Sequence, residues 1–66
     1  MNKEREALEK AVEDAATIFE GYYLDYMNHF RYGPISYARH YKLSAEDARK
    51  RIHIGQVIHD QRGKDA

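Results

Sequence analysis

Residues 3–30 read KEREALEKAVEDAATIFEGYYLDYMNHF, and their apolar side chains follow the period of an α-helix. Steps of four and three residues alternate along one stripe, which consists of Leu8, Val12, Ala15, Phe19, Tyr22 and Tyr26. This spacing is typical of a seam between two packed helices. Further apolar residues lie beside the stripe, namely Ala11, Ala16, Ile18, Tyr23, Met27 and Phe30. The wide apolar face predicts a long amphipathic helix that packs on a core rather than a two-stranded coil alone.

Capping and breaking residues set the limits of this first helix. Asn2 is a good N-cap residue, because its side chain can accept hydrogen bonds from the first free backbone N–H groups. Gly33-Pro34 predicts that the helix ends by Tyr32 and that a new helix begins at the proline. Gly21, inside the helix, costs about 1 kcal/mol relative to alanine, so we expect either a kink or a close neighbour there.

Two shorter helices are predicted after this break. The second extends from Pro34 to Tyr41 and turns Ile35, Ala38 and Tyr41 to one side. The third begins after Ser44, a strong N-cap residue. It is expected to run from residue 45 to about residue 59, and its inner face consists of Ala48, Ile52, Gly55 and Ile58 or His59.

The stretch Ile52–Ile58, IHIGQVI, leaves a second interpretation open. Its alternating β-branched residues would also suit a strand. A helix is favoured because the start of the segment is well capped and no partner strand is evident elsewhere in the chain. The polar residues 61–66 are predicted to form a flexible tail.

The length of the chain makes its stability marginal. A chain of 66 residues buries only about 60% of its unfolded surface, and the absence of cysteine removes disulfides and thiolate–metal sites as supports. We therefore expect one all-α domain that is stabilised by helix–helix packing or by dimerisation, and the stripe of the first helix favours a homodimer.

The stretch Ile35–Ile52, ISYARHYKLSAEDARKRI, resembles a helix-turn-helix DNA-binding motif. Ala38 is the small residue that lets the second helix of the motif cross close to the first, and Leu43 is the apolar residue in the turn. Ser44 matches the cap of the recognition helix, whose inner face would be closed by Ala48 and Ile52. The resemblance implies that residues 33–60 form a helix-turn-helix-like pair, and the long helix predicted from the apolar stripe, within residues 1–32, completes a three-helix domain.

The resemblance also implies a DNA-binding surface on the second and third helices. The residues facing DNA would be Arg39, His40, Lys42, Ser44, Ala45, Glu46, Arg49, Lys50 and His53. Lys42 stands where the motif usually has glycine, so either it adopts a left-handed backbone conformation at some cost or the turn differs from that of the motif. Glu46 can accept a hydrogen bond from cytosine, but Glu46 and Asp47 together oppose the attraction between the protein and phosphate.

The charges of the chain are divided between its two parts. Residues 1–28 carry three cations and seven carboxylates, for a net charge of −4, whereas residues 29–66 carry eight cations and four carboxylates, for a net charge of +4. All four histidines also lie in the second part. This division indicates that a polyanion would meet the second part, although two solvated faces of opposite charge would give the same pattern.

The tyrosines support a different function, protein recognition. Six of the eight aromatic residues are tyrosines, a residue type enriched in interface hot spots because it combines a large area with a polar tip. A self-association or partner-binding face, suited to an inhibitor or adaptor, would comprise Leu8, Val12, Phe19, Tyr22, Tyr23 and Tyr26. The alternative for any one tyrosine is a position at the edge of the core with a solvated hydroxyl.

Other function classes find little support in the sequence. His53 and His59 are six residues apart and lie on different faces of a helix, so no metal site is predicted, and no cofactor or phosphate-binding loop is evident. A domain this small can hardly shield a reaction from water, so we expect neither an enzyme nor a small-molecule substrate. The charged N-terminus and the lack of a long apolar run predict a cytoplasmic protein without a membrane segment.

Overall fold

The structure is a computed structural model that describes residues 2–65, with the side chains of residues 2–64. It contains α1 at Lys3–Asp25, a π-helical turn at Tyr26–Phe30, α2 at Pro34–Tyr41 and α3 at Ala45–Asp65. Within these residues no strand occurs, which confirms the all-α, three-helix fold and decides the stretch 52–58 in favour of a helix.

The first helix begins as its cap predicts and ends in a wider turn. Asn2 Oδ1 accepts hydrogen bonds from the backbone N–H groups of Glu4, at 3.0 Å, and Arg5, at 3.2 Å. The regular helix stops at Asp25 and is followed by the π turn, which holds an extra residue per turn. The rings at the two ends of this turn, Tyr26 and Phe30, both pack against α2.

A left-handed residue joins α2 to α3. Lys42 has φ 57° and ψ 44°, so of the two alternatives for this position the left-handed conformation is the one found. The N–H of Leu43 donates to the carbonyl of Ala38 at 2.8 Å, and the N–H of Lys42 donates to that of Arg39 at 3.3 Å. This pair of bonds is a Schellman motif. Ser44 Oγ then accepts the N–H of the residue three positions on at 3.1 Å and caps α3.

The core lies where α2 and α3 meet the end of α1. Its buried members are Tyr37, Ala38, Ala48 and Ile52, and the partly buried Tyr23, Tyr26, Phe30 and Leu43 surround them. The predicted inner side of α2 is therefore partly wrong, because Ile35 is 54% exposed while Tyr37 is fully buried. Two turns of helix give too little periodicity to decide which side the core will cover.

The second half of α3 runs antiparallel to α1 and crosses it at Gly55. A Cβ atom added to Gly55 would lie 2.6 Å from Cβ of Tyr23 and closer still to the carbonyl oxygen of Phe19, so the two backbones touch. Gly21, in contrast, has open space around it. The close helix approach that the sequence suggested for Gly21 is therefore found at Gly55.

The end of α3 differs from its prediction. The helix was expected to stop near His59 and to be followed by a flexible tail, but it continues through residues 61–65 to Asp65; Ala66 lies outside the described residues. Arg62 explains the difference, because it forms ion pairs with Glu13 and Glu20 of α1 and so draws the last turns of α3 against that helix.

The N-terminal half of α1 projects from the rest of the molecule. Every residue from Asn2 to Ala15 is exposed, and the molecule measures 46 × 26 × 15 Å. None of the helices in the described range 2–65 combines the length and apolar character needed to cross a membrane.

Candidate nucleic-acid interface

All nine residues predicted to face DNA are exposed. They lie on α2, on the turn that follows it and on the first turns of α3: Arg39, His40, Lys42, Ser44, Ala45, Glu46, Arg49, Lys50 and His53. We refer to this set as the basic end. Its members lie within residues 39–53. Buried residues between them, Ala48 and Ile52, hold this segment to the core.

The periodicity of α3 separates the basic end from the core. Ala48 and Ile52 are four residues apart and both are buried, so they fix the inward side of the helix. Each residue of an α-helix is rotated by about 100° from the one before it. Lys50 is two residues from Ala48 and His53 is one residue after Ile52, so both point away from the buried side and are exposed to solvent. The Ser44 cap fixes where the helix begins, and with it the direction of each of these side chains.

Ion pairs neutralise the basic end only in part. Lys50 Nζ lies 3.3 Å from Glu46 Oε1, one turn earlier, in a pair that is mostly exposed to solvent. Within the part of the chain that the structure describes, Arg39, Lys42 and Arg49 take part in no ion pair. Three cations thus remain available to an anionic ligand.

Aromatic rings support the α2 side of the basic end. The His40 ring lies 5.1 Å from that of Phe30 and 4.7 Å from that of Tyr41, measured between centroids. The hydroxyl of Tyr41 donates a hydrogen bond to the carboxylate of Asp25, which raises the pKa of Tyr41. His40 is therefore oriented by its neighbours although its side chain is exposed.

A second charged cluster joins α1 to α3 outside the basic end. Glu20 Oε1 accepts a hydrogen bond from Arg62 Nη1 at 2.6 Å, and Glu20 Oε2 lies 2.9 Å from His59 Nδ1. Arg62 Nη2 also bonds Glu13 and donates to Thr17 Oγ1 at 3.1 Å. The hydrogen bonds from His59 and Arg62 lower the pKa of Glu20, and the bond to Glu20 raises the pKa of Arg62.

This cluster accounts for part of the charge division seen in the sequence. Glu13 and Glu20 belong to the acidic part and Arg62 to the basic part, and here they neutralise one another inside one molecule. Sequence reasoning did not identify this pairing. Opposite net charges on two helices of one short chain were the signal that they would pack side by side.

The six residues predicted as a protein interface are divided between two environments. Phe19, Tyr22, Tyr23 and Tyr26 are half-buried against α2 or α3 of the same chain, whereas Leu8 and Val12 are exposed. Tyr22 also receives the guanidinium of Arg51, whose Cζ lies 4.2 Å from the centre of its ring, in a cation–π contact.

The comparisons with known proteins assign no family. A scan against protein-family models, a search of curated proteins and a search of solved structures each find no match to this chain. Among the described residues, no cluster of three or more histidine, aspartate or glutamate side chains is placed to hold a metal ion.

Proposed function

We propose that this protein is a small non-enzymatic regulator that binds duplex DNA through the basic end. The observation that carries the proposal is the concentration of exposed cations on α2, on the turn that follows it and on the first turns of α3. Residues 29–53 hold six cations and two carboxylates, whereas residues 1–20 hold three cations and six carboxylates. The electrostatic part of DNA affinity depends on cations that are free to neutralise phosphates.

Five side chains of the basic end have a stated role in this proposal. Arg49 and His53 lie on the exposed side of α3 and would meet base edges in the major groove, which is wide enough to admit a helix. Arg39 and Lys42, on α2 and the turn, would contact phosphates on the flank of the groove. Glu46 would accept a hydrogen bond from a cytosine amino group, at the expense of its pair with Lys50.

The test compares two double variants that remove equal charge from opposite ends of the molecule. Arg49→Ala with Lys50→Ala takes two cations from the basic end, and Lys3→Ala with Lys10→Ala takes two from exposed positions of α1. Binding to a random duplex pool is measured at several salt concentrations. We expect the first variant to lose roughly tenfold in affinity and about two units of salt slope, and the second to change little.

Equal losses in the two variants would contradict the proposal, because net charge alone would then explain binding. The proposal would also be contradicted if the unmodified protein showed no binding to the duplex pool at low salt. Both variants alter exposed side chains, so circular dichroism should report the same helix content as in the unmodified chain.

A second candidate function is protein recognition by α1, as an inhibitor or adaptor or through the predicted homodimer. The observation in its favour is the exposure of Leu8, at 65%, and Val12, at 63%, on the projecting half of the helix. Leu8→Glu should abolish such an association without unfolding the chain, because Leu8 lies outside the core. An unchanged association would remove this part of the face from consideration.

A further inference from the structure

The last turns of α3, residues 56–64, have few contacts with the rest of the molecule. The buried residues of α3 end at Gly55, where the backbones of α3 and α1 touch. Of residues 56–64 only Ile58 and Arg62 are partly buried, and the others are exposed. The segment reads QVIHDQRGK, which is mostly polar and contains Gly63, a residue type that disfavours a helix interior. A segment this short does not hold a helix in water without tertiary contacts.

His59 and Arg62 supply the polar contacts between this segment and α1. His59 Nδ1 lies 2.9 Å from Glu20 Oε2. Arg62 donates to Glu20 at 2.6 Å, to Thr17 at 3.1 Å and also to Glu13, because a guanidinium carries enough N–H groups to bond several acceptors at once. Within residues 2–65, all three ion pairs between α1 and α3 belong to this segment. One arginine therefore holds the segment against two turns of α1.

We propose that residues 56–64 form a strap, which Arg62 fastens to α1 and which opens about Gly55 while the core stays folded. We call this segment the α3 strap. Ala48 and Ile52 hold the first turns of α3 in the core, so release of the strap removes no core contact. The polar bonds of the strap converge on Glu20 and Arg62, and we therefore expect them to form and break together. The proposal depends neither on DNA binding nor on self-association.

Partial burial of the ion pair keeps the strap closed. The side chains of Arg62 and Glu20 are 32% and 18% exposed, whereas those of the surface pair Arg5–Glu9 are 77% and 68% exposed. Water and salt screen a pair less when it is partly buried, so the Arg62–Glu20 pair stabilises the closed state more than an exposed pair would. Opening brings no fully buried side chain into solvent, so it takes less free energy than unfolding of the core.

Opening of the strap would change the surface of α1. The ring of His59 lies 5.5 Å from that of Tyr23, measured between centroids, and would leave it. Tyr23 belongs to the six residues predicted as a protein interface, of which only Leu8 and Val12 are exposed while the strap is closed. The strap thus regulates how much of that face is accessible, because its release adds the ring of Tyr23 to the exposed part.

Native-state hydrogen exchange tests the proposal on the unmodified chain. The amides of residues 59–64 donate to carbonyls four residues earlier, so their exchange reports the opening of the strap, and the amides of residues 48–53 report the part of α3 that the core holds. NMR records both sets at increasing urea concentrations below the unfolding midpoint. We expect the strap amides to share one protection factor, at least about tenfold lower than that of the second set, and to depend little on urea.

Three results of this measurement would overturn the proposal. Equal protection and equal urea dependence in the two sets would mean that the strap opens only when the whole protein unfolds. Protection that declines gradually along residues 56–64 would mean that the helix frays from its end instead of opening as a unit at Gly55. Strap amides without any protection would mean that the strap is not closed.

Two matched variants test the role of Arg62. Arg62→Gln removes the charge that pairs with Glu13 and Glu20, and Lys64→Gln removes a nearby cation that takes part in no ion pair within residues 2–65. We expect Arg62→Gln to raise the exchange rates of the strap amides roughly tenfold and Lys64→Gln to change them less than about twofold. Persistent protection of residues 48–53 shows that each variant is folded. Equal effects of the two variants, or no effect of Arg62→Gln, would overturn the proposal.

Discussion

Tyr37 occupies the centre of the core, and its hydroxyl has no protein partner. The side chain is fully buried, and among the described residues nothing accepts or donates a hydrogen bond at Oη. Its ring is held instead by neighbours, with centroids 5.5 Å from Phe30 and 4.8 Å from Tyr41. A buried polar group without a partner costs about 1–3 kcal/mol, so the ring stabilises the fold and the hydroxyl opposes it.

Tyr37→Phe is therefore expected to stabilise the protein. The substitution keeps every ring contact and removes only the unpaired hydroxyl, so the free energy of unfolding should rise by roughly 1 kcal/mol. Urea denaturation followed by circular dichroism measures this change. A loss of stability would contradict the prediction and would indicate that the hydroxyl is satisfied, for example by a bound water molecule.

The sequence predicted residues with a local role better than residues with a tertiary one. Asn2 and Ser44 were correctly assigned as N-caps, because that role depends on the few residues around each of them. The left-handed conformation of Lys42 was one of the two alternatives that its position left open. The burial of Tyr37 was not predicted. It depends on how α2 lies across α1 and α3, and eight residues of helix do not encode that orientation.

At the level of secondary-structure elements, Gly55 fixes the distance between α1 and α3. We expect Gly55→Ala to lower the free energy of unfolding by about 3 kcal/mol, because its Cβ would meet backbone atoms of Phe19 and force the helices apart. Gly21→Ala is the matched control. It fills open space within a helix and should raise the free energy of unfolding by up to about 1 kcal/mol.

Thermal and urea unfolding of the two variants checks this pair of expectations. A Gly55→Ala protein as stable as the unmodified chain would contradict the close crossing. The two substitutions make the same chemical change in the same kind of element, so a difference between them reports the helix contact rather than helix propensity.

Element starts were predictable from the sequence, but element ends were less so. Capping residues gave the first residues of α1, α2 and α3 correctly. The sequence placed the end of α3 too early, because the polar residues after His59 are typical of a flexible tail. What extends the helix is the pairing of Arg62 with two carboxylates more than forty residues earlier, a contact that no local pattern contains.

For the whole molecule, the pairing of acidic α1 with α3 makes stability depend on pH. The pKa of Glu20 is lowered from its ordinary value of 4.5 by its bonds to His59 and Arg62. Its stabilising contribution is therefore complete above that value and is lost as the pH falls toward the lower pKa of the folded state. We expect the Tm of the unmodified protein to fall as the pH is lowered from about 5 to about 3.

Glu20→Gln should reduce this dependence, since it removes the group whose pKa differs between the folded and unfolded states. Glu9→Gln is the control, because Glu9 pairs only with Arg5 in a contact that is largely exposed. Thermal unfolding across the same pH range compares the three proteins. If the Tm of Glu20→Gln fell at low pH as much as the Tm of the unmodified chain, Glu20 would not be the group responsible for the pH dependence.

The projecting half of α1 implies that resistance to local opening rises steadily along that helix. The turns from Lys3 to Val12 are held only by contacts within the helix itself, namely its backbone hydrogen bonds, the Asn2 cap and the exposed Arg5–Glu9 pair, and isolated helices of this length are marginal in water. The turns from Phe19 onward are expected to unfold only together with the core, because α3 packs directly against them. One continuous helix thus contains a segment that unwinds and reforms readily and a segment that opens only when the whole protein unfolds.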